Sequence, residues 1–110
     1  MFPFLKCFYE HTFVAKSHGK IIGFVNTMNW LGRRGLPYIN YVCVDMNYRG
    51  NGVGKRLLEF MLETLKEKYS EVYLKVSFRK KNTLSFYEKF GFELIEQSFL
   101  RMGYVMCLDF

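Results

Sequence analysis

The sequence predicts an α/β protein with one mixed β-sheet. Antiparallel strands come first, a strand-helix-strand unit lies in the centre, and a short helix and an antiparallel strand pair follow. Three observations support this prediction. An apolar strand pattern (residues 38–44) leads through a glycine-rich turn into a helix-period pattern (residues 52–68), and a second strand pattern follows at residues 71–77. A whole helix separates these two strands, so they can lie parallel, and hairpin patterns flank the unit on both sides.

Length and composition favour one soluble domain, residues 1–110. Half of the residues are hydrophobic and 19% are aromatic, which is enough for a normal core. No apolar run reaches the 18 residues of a membrane span, and Pro3, Lys6 and Glu10 interrupt the first 13 residues where a signal peptide would be apolar. We therefore expect a cytoplasmic protein that does not enter a membrane.

The N-terminal third predicts three antiparallel strands. The first ten residues are aromatic and only weakly patterned. Residues 12–16 and 21–28 form a predicted hairpin around a turn at residues 17–20, in which Gly19 supplies a positive φ and His18 is exposed. A polar break at residues 32–35, with Pro37 shortly after it, precedes the strand at residues 38–44.

The remaining elements follow from periodicity. In the predicted helix, residues 52–68, apolar residues recur every fourth position, and they continue in alternation along the next strand: Val53, Leu57, Met61 and Leu65, then Val72, Leu74 and Val76. A basic segment (residues 78–82) precedes a short helix (residues 83–90), and Gly91 suits the left-handed position after a helix. Residues 92–98 and 101–108 are predicted to form the closing antiparallel pair.

The cysteines indicate reduced thiols. Cys7, Cys43 and Cys107 lie far apart in apolar surroundings, and an odd number without a close pair favours free, buried side chains. Cys7 and His11 could share a helical face, but no second close pair supplies further ligands. We predict no metal site.

The net charge favours an anionic partner. The formal charge is +6 and the isoelectric point is about 9.3, which would attract nucleic acid, an acidic protein or a phosphorylated cofactor alike. Charge alone does not choose among them.

The glycine-rich turn before the long helix predicts a phosphate site. Backbone N–H groups at a helix start carry partial positive charge, and glycines let a ligand approach them closely. The turn does not match a Walker A loop, because three residues separate Gly50 from Gly54 and Arg56 follows Lys55 where Ser or Thr is needed. It does not match the dinucleotide fingerprint either, because its glycines are spaced by two. A plain turn is the structural alternative.

A different spacing fits this turn. Arg49, Gly52 and Gly54 form Arg-x-x-Gly-x-Gly, which resembles the coenzyme A pyrophosphate motif of the GNAT N-acetyltransferase superfamily. Residues 82–92, NTLSFYEKFGF, resemble a second signature of that family, a short helix with Tyr-Glu-Lys-x-Gly-Phe. The resemblance covers about residues 12–108 and implies a GNAT-like fold in which the central parallel strands splay apart.

The resemblance also implies a cofactor and its site. Acetyl-CoA would lie between the splayed strands, with the backbone of residues 42–44 on its pantetheine arm and residues 50–55 around its pyrophosphate. Arg49 and Lys55 would add positive charge. The implied cofactor-binding residues are Val42, Cys43, Val44, Arg49, Gly50, Asn51, Gly52, Val53, Gly54, Lys55, Lys80 and Asn82.

Tyr87 matches the general-acid tyrosine of the family. A phenol can protonate a departing thiolate because its pKa, about 10, lies above that of a thiol, about 8.5. The structural alternative is packing, because Phe86 and Phe90 share the helix with Tyr87.

Three departures from the family pattern stand out. Lys75 occupies the place of the glutamate that often acts as base, and among the nearby acids Glu71, Glu88 and Asp45 none is a clear substitute. Lys80, with Asn82 two residues later, stands where an asparagine usually contacts the cofactor, although the run 79–81 would equally suit a solvated loop. The chain also lacks most of the usual N-terminal strand and helices, which leaves an open acceptor groove, a fragment or a partner-completed sheet as alternatives.

Three functions follow from these residues. The first is an acetyl-CoA-dependent N-acetyltransferase acting on a primary amine of a small molecule, peptide or protein. The second is a non-catalytic module of the same fold that binds coenzyme A or a protein. Nucleic-acid binding is the weakest, because the aromatic residues fall at core positions and no RNA-binding motif occurs. The expected partners are acetyl-CoA, an amine acceptor and, through an exposed sheet edge, a second copy of the chain.

Overall fold

The computed structural model describes residues 11–30, 36–100 and 102–110, and the side chains of all of these except residues 29 and 30. It contains one six-stranded sheet in the order β1-β2-β3-β4-β6-β5, with both helices placed between strands of the chain. The predicted mixed α/β sheet is confirmed. The elements are β1 (His11–Ser17), β2 (Lys20–Trp30), β3 (Leu36–Val44), α1 (Val53–Lys66), β4 (Glu71–Ser77), α2 (Leu84–Glu88), β5 (Glu93–Ser98) and β6 (Gly103–Asp109).

Three features of the sequence analysis lie outside the described residues. They are the weakly patterned first ten residues, which include Cys7, the polar break at residues 32–35, and Arg101 at the predicted start of the last strand.

The N-terminal hairpin forms as predicted. β1 and β2 pair antiparallel and enclose a two-residue turn in which His18 has φ 51° and Gly19 has φ 78°. Two positive φ values in succession give the turn the twist that joins antiparallel strands tightly. His18 is exposed, as expected for a turn residue.

The central unit β3-α1-β4 positions the cofactor half of the fold. β3 and β4 lie parallel, and α1 packs over the sheet through one apolar face, formed by Leu57, Leu58, Met61 and Leu65. These side chains meet a core from several strands, in which Val25, Val72 and Met106 have no exposed surface. Burying a side chain of this size contributes roughly 1.5–3 kcal/mol. The core therefore fixes where α1 begins.

The segment after β4 contains less α-helix than the sequence predicted. Residues 78–83 form two short 3₁₀ turns separated by a kink at Lys80, and α2 is only five residues long, whereas the sequence pattern predicted a helix over residues 83–90. Ser77 Oγ accepts a hydrogen bond from Arg79 N at 3.3 Å and starts the tight turn, and Thr83 Oγ1 donates to Lys80 O at 2.7 Å. These local side-chain bonds compete with a regular α-helix. Gly91 has φ 100°, a positive value as predicted.

The C-terminal pair completes the sheet. β5 and β6 pair antiparallel as predicted, and β6 lies between β4 and β5. β4 is thereby paired with β6 along its whole length. Within the described ranges, no helix is long and apolar enough to cross a membrane.

Candidate functional site

The two central parallel strands separate after a short contact. β3 and β4 pair only at Tyr38 with Tyr73 and at Ile39 with Leu74. Residues 42–44 of β3 still pair with β2, but no described strand pairs with their other side. Backbone N–H and C=O groups on that side are open to a ligand, which can take the place of a neighbouring strand.

A bulge in β3 accompanies this separation. Asn26 of β2 pairs with Tyr41 and the next residue, Thr27, pairs with Ile39, so Asn40 is an extra residue on β3. A bulge bends its strand and increases the local twist. The parallel pairing with β4 ends at this point, at Ile39.

The glycine turn that follows β3 leaves the start of α1 uncapped. Gly50 has φ 81° and Gly52, the N-cap residue of α1, has φ 79°. A Cβ added at either glycine would have no heavy atom within 4 Å, so the space above the turn is open. In the described part of the chain no side chain caps the first amides of α1, those of residues 53–55. These amides and the positive helix end form a cradle suited to a phosphate group.

Hydrogen bonds within the turn hold the cradle in shape. Arg49 Nε donates to Val44 O at 3.2 Å, which ties the arginine to the end of β3. Asn51 Nδ2 donates to Tyr48 O at 3.1 Å, and Asp45 Oδ1 accepts from Asn47 N at 2.9 Å. The side chain of Asn51 thus shapes the turn from within, and that of Arg49 lies exposed at its edge.

In the first turn of α1, Gly54 is half-buried and Lys55 is exposed. Lys55 is exposed and lies 4.0 Å from Glu59, a surface pair too weak to fix the lysine. Gly54 faces the cleft wall, where an added Cβ would lie 3.5 Å from Val44 Cγ2 and 3.9 Å from Val42 Cγ1. Its small size seats the helix start closely on β3.

Tyr87 reaches the cleft from α2. Its half-buried ring packs in edge contacts with Phe86 and Phe92, whose centroids lie 5.1 and 6.0 Å away. Burial raises the pKa of Tyr87, and the nearby Cys43 thiol raises it further. Among the described residues, none hydrogen-bonds the Tyr87 hydroxyl, so the packing of the ring leaves the hydroxyl available.

One expectation about the cysteines is wrong. Cys43, predicted to be buried, is exposed, and Cys107 is only half-buried. β3 has parted from β4 where Cys43 lies, so none of the described strands lies beside Cys43 on that side. Both thiols are free, as predicted, whereas Cys7 lies outside the described residues.

The remaining residues of the predicted site lie on β4 and in the segment that follows it. Lys80 and Asn82 are exposed on the 3₁₀ segment after β4, where Asn82 O accepts a hydrogen bond from Ser85 Oγ at 3.2 Å. Their contact with a cofactor stays a prediction. Lys75 is exposed on β4, opposite Val105 of β6. A charged lysine is no substitute for a carboxylate base at this position.

The nearby acids do not supply an evident base. Asp45 holds the turn together and forms an ion pair with Lys20 at 3.7 Å. Glu71 lies at the first residue of β4, away from the end of the strand that borders the cleft. Glu88 is exposed on α2. We assign the base to none of them.

The strand pairing assembles one cluster that the sequence analysis did not identify. Glu71 faces Asp109 and Tyr73 faces Cys107 across β4 and β6. Burial is the main reason why the pKa of Tyr73 is raised to about 12 and that of Cys107 to about 11. The side-chain oxygens and sulfur of Glu71, Cys107 and Asp109 lie within 4.8 Å of one another, a grouping open to a metal ion. Only the register of two strands distant in sequence creates it, so no local motif could have indicated it.

Comparison with known proteins agrees with this architecture. Residues 8–94 match the model of the Acetyltransferase (GNAT) domain. An uncharacterized N-acetyltransferase of Methanocaldococcus jannaschii is 33% identical over 97 residues, which are 82% of this chain and 43% of that protein. The chain spans about half the length of the curated relatives that it matches.

Solved structures show the same fold. The structure of a putative streptothricin acetyltransferase from Bacillus anthracis in complex with acetyl coenzyme A has a TM-score of 0.78 at 29% identity, covering 90% of this chain and 61% of that one. Arabidopsis thaliana Naa50 in complex with the bisubstrate analogue CoA-Ac-MVNAL has a TM-score of 0.75 at 27% identity, covering 90% and 72%. On the domain match and this shared fold, the chain belongs to the GNAT acetyltransferase family.

Proposed function

We propose that this chain is an acetyl-CoA-dependent N-acetyltransferase that acts on a primary amine of a small molecule, a peptide or a protein. The single observation that carries the proposal is the meeting of three features at one cleft. They are the uncapped amides at the start of α1, the open backbone side of residues 42–44, and the available hydroxyl of Tyr87.

The cleft fits coenzyme A on its own geometry. The open space at Gly50 and Gly52 leaves room for a diphosphate that would be closed by a side chain at either position. Val42, Cys43 and Val44 offer backbone groups to the amides of an extended arm, as one strand does to another. Arg49, Lys55 and Lys80 add positive charge around the binding site, and Asn51, Val53, Gly54 and Asn82 complete it.

In the proposed reaction the bound acetyl-CoA supplies an activated acetyl group as a thioester. The backbone amides of β3 stabilise negative charge on the reacting oxygen, a role that preorganised N–H groups perform well. Tyr87 holds a proton at its hydroxyl and delivers it to the departing sulfur. Because its pKa is raised, the hydroxyl keeps this proton at neutral pH.

The acceptor amine loses its proton to water or to a group outside this cleft, since Lys75 replaces a carboxylate base. The solved relatives support two acceptor classes, because one is described as a streptothricin acetyltransferase and another is bound to a peptide-like bisubstrate analogue. We propose no metal in the reaction.

Calorimetric titration with acetyl-CoA and coenzyme A, followed by thiol release with pools of amines and peptides, tests the proposal. Saturable binding and acceptor-dependent thiol release are expected. Failure to bind at millimolar cofactor would refute it. Tight binding without turnover on any amine would instead support the second candidate, a non-catalytic coenzyme A module, which Lys75 on the cleft strand favours.

The setting follows from the same residues. The free thiols of Cys43 and Cys107 support a location in a reducing compartment, the cytoplasm. In this proposal residues 1–110 form a single domain. Nucleic acid is not among the partners that we propose. A second copy of the chain is among the partners that we propose, and its pairing does not depend on acetyl transfer.

A further inference from the structure

Four polar side chains lie side by side on the sheet face turned away from α1. Glu71 of β4 stands directly opposite Asp109 of β6, and two residues further along Tyr73 stands opposite Cys107. Val72, which alternates with Glu71 and Tyr73, is fully buried in the core that α1 covers. Successive side chains of a strand point to opposite faces, so the four polar groups share the other face.

Three of these groups offer metal-ligating atoms at close range. The Cys107 thiol donates to Glu71 Oε2 at 3.7 Å and to Asp109 Oδ1 at 3.8 Å, and one ligand atom from each side chain lies within 4.8 Å of the other two. Ligand atoms around a tetrahedral Zn²⁺, with bonds of about 2.0–2.3 Å, lie about 3.5 Å apart. Modest rotations of the carboxylates therefore reach coordination distance, and the exposure of Asp109 leaves the fourth position open to water.

Negative charge gathers on this face without a described counter-charge. Glu71 and Asp109 form a directly opposed cross-strand pair, and like charges in such a pair destabilise a sheet. Glu93 of β5 pairs with Cys107 from its other side and adds a third carboxylate. Over the described ranges, no basic side chain forms an ion pair with any of the three carboxylates. A divalent cation would relieve this repulsion.

Tyr73 gives the cluster a buried polar interior. The residue is 7% exposed, and its side chain is hydrogen-bonded to those of Glu71 and Cys107. A hydroxyl that donates to ligating side chains holds them in orientation, and such outer partners strengthen a metal site. This buried donor distinguishes the cluster from a patch of solvated acidic side chains.

We propose that Glu71, Cys107 and Asp109 bind a Zn²⁺ ion that joins the start of β4 to the end of β6. A thiol with two carboxylates suits Zn²⁺ better than Mg²⁺ or Ca²⁺, which prefer oxygen ligands alone. On binding, a sulfur–zinc bond replaces the S–H bond of Cys107, and the thiol proton passes to water. The ion takes no part in acetyl transfer, because Glu71 begins β4 at the end away from the cleft. Local spacing in the sequence does not indicate this site, since Glu71 and Cys107 are 36 positions apart.

Metal titration tests the site. In a Cys7→Ser, Cys43→Ser background, Cys107 is the one remaining thiol of the sequence. We expect calorimetry to detect one equivalent of Zn²⁺, and Cd²⁺ to produce the ultraviolet charge-transfer band of a metal thiolate. Cys107→Ser should abolish the band, and Asp109→Asn should weaken Zn²⁺ binding at least about tenfold. No bound Zn²⁺ in the background protein, or equal binding by Cys107→Ser, would overturn the proposal.

The buried hydroxyl provides a second test in the same background. Tyr73→Phe keeps the ring and removes the donor, so the affinity for Zn²⁺ should fall about 10–100-fold. Glu63→Gln, at an exposed carboxylate of α1, is the control and should bind Zn²⁺ as the background protein does. Equal affinities of Tyr73→Phe and the control would refute the site.

Hydrogen–deuterium exchange locates the ion. Bound Zn²⁺ should slow exchange at residues 71–73 and 107–109 and leave residues 42–44 unchanged. Slowing at residues 42–44 alone would place the ion elsewhere and overturn the proposal. Zn²⁺ binding by a chain that fails to bind coenzyme A would leave the metal site intact, so this proposal and that of acetyl transfer fail separately.

Discussion

Tyr87 of α2 and Cys43 of β3 approach closely enough for the thiol to raise the pKa of the tyrosine, in addition to the larger effect of burial. Tyr87 belongs to the second family signature, and Cys43 lies on the strand that leads into the first. Their proximity means that the hydroxyl of Tyr87 lies beside the strand that would hold the reacting thioester. A protonated phenol at this point is placed to act as a general acid.

Replacement of Tyr87 should affect turnover more than binding. Tyr87→Phe removes the proton donor and keeps the ring, so we expect kcat to fall about 10²-fold while the Kd for coenzyme A changes little. Tyr69→Phe, beyond the far end of α1, is the control and should behave as the parent. Steady-state kinetics and calorimetry measure both effects. Unchanged kcat in Tyr87→Phe would remove the assigned role.

The pH profile provides a second measure of Tyr87. Because its pKa is raised above 10.0, the hydroxyl stays protonated below pH 10, and loss of its proton should reduce kcat only above that value. We expect the alkaline decline of the parent to be absent from the residual activity of Tyr87→Phe. An identical decline in both proteins would assign it to another group.

Gly52 is where a side chain should most harm cofactor binding. Gly52→Val combines an unfavourable φ of 79° with a branched side chain in the open space above the amides. Gly19→Val is a matched control, because Gly19 has φ 78° and equally open surroundings but lies in the first hairpin. Both variants should lose similar stability, of about 1–2 kcal/mol. Only Gly52→Val should weaken coenzyme A binding, by at least about tenfold. Equal binding by the two variants would contradict the cradle.

The two described thiols should differ in reactivity. Cys43 is exposed, whereas burial raises the pKa of the half-buried Cys107 to about 11. In a Cys7→Ser background, iodoacetamide at pH 8 should modify Cys43 at least about tenfold faster than Cys107. Saturating coenzyme A should protect Cys43 and leave Cys107 unaffected. Peptide mass spectrometry distinguishes the two sites, and equal protection of both would argue against a ligand in the cleft.

Tyr73 should make the protein less stable in alkali. Its pKa is raised from 10.0 to about 12, chiefly by burial, so the neutral phenol stabilises the fold fully below pH 10, and this contribution is lost as pH rises toward 12. In Tyr73→Phe the free energy of unfolding should fall less between pH 9 and 11. The control is Tyr41→Phe, at a tyrosine that is 53% exposed. Urea denaturation measures the change, and parallel curves would show that Tyr73 does not titrate as described.

The sequence predicted most strands, the long helix and three of the strand pairings, but not every local or tertiary detail. Alternating apolar residues located β4 correctly, and apolar residues at every fourth position located α1. Each pattern arises because the element buries one face. The 3₁₀ helix after β4 was missed because Ser77 and Thr83 stabilise it through local hydrogen bonds that periodicity does not record. The exposure of Cys43 was missed because it depends on where β3 leaves β4, a property of tertiary structure.

The residues of the candidate site also fall into two groups, those that the sequence indicated and those that it did not. Its glycines and Tyr87 were identifiable from spacing and from family resemblance, since both lie in short contiguous segments. The grouping of Glu71 and Tyr73 with Cys107 depends on the register of β4 with β6, which no contiguous segment encodes.

The brief contact between β3 and β4 has a thermodynamic consequence. With two residue pairs joining them, the strands leave part of the central sheet for a guest molecule to finish, so the guest and the native fold stabilise each other. Hydrogen–deuterium exchange should therefore slow at residues 42–44 when coenzyme A is added, while the β1-β2 hairpin exchanges at its former rate. In this protein, the cofactor would serve as the missing neighbour of a strand as well as the source of the group it transfers.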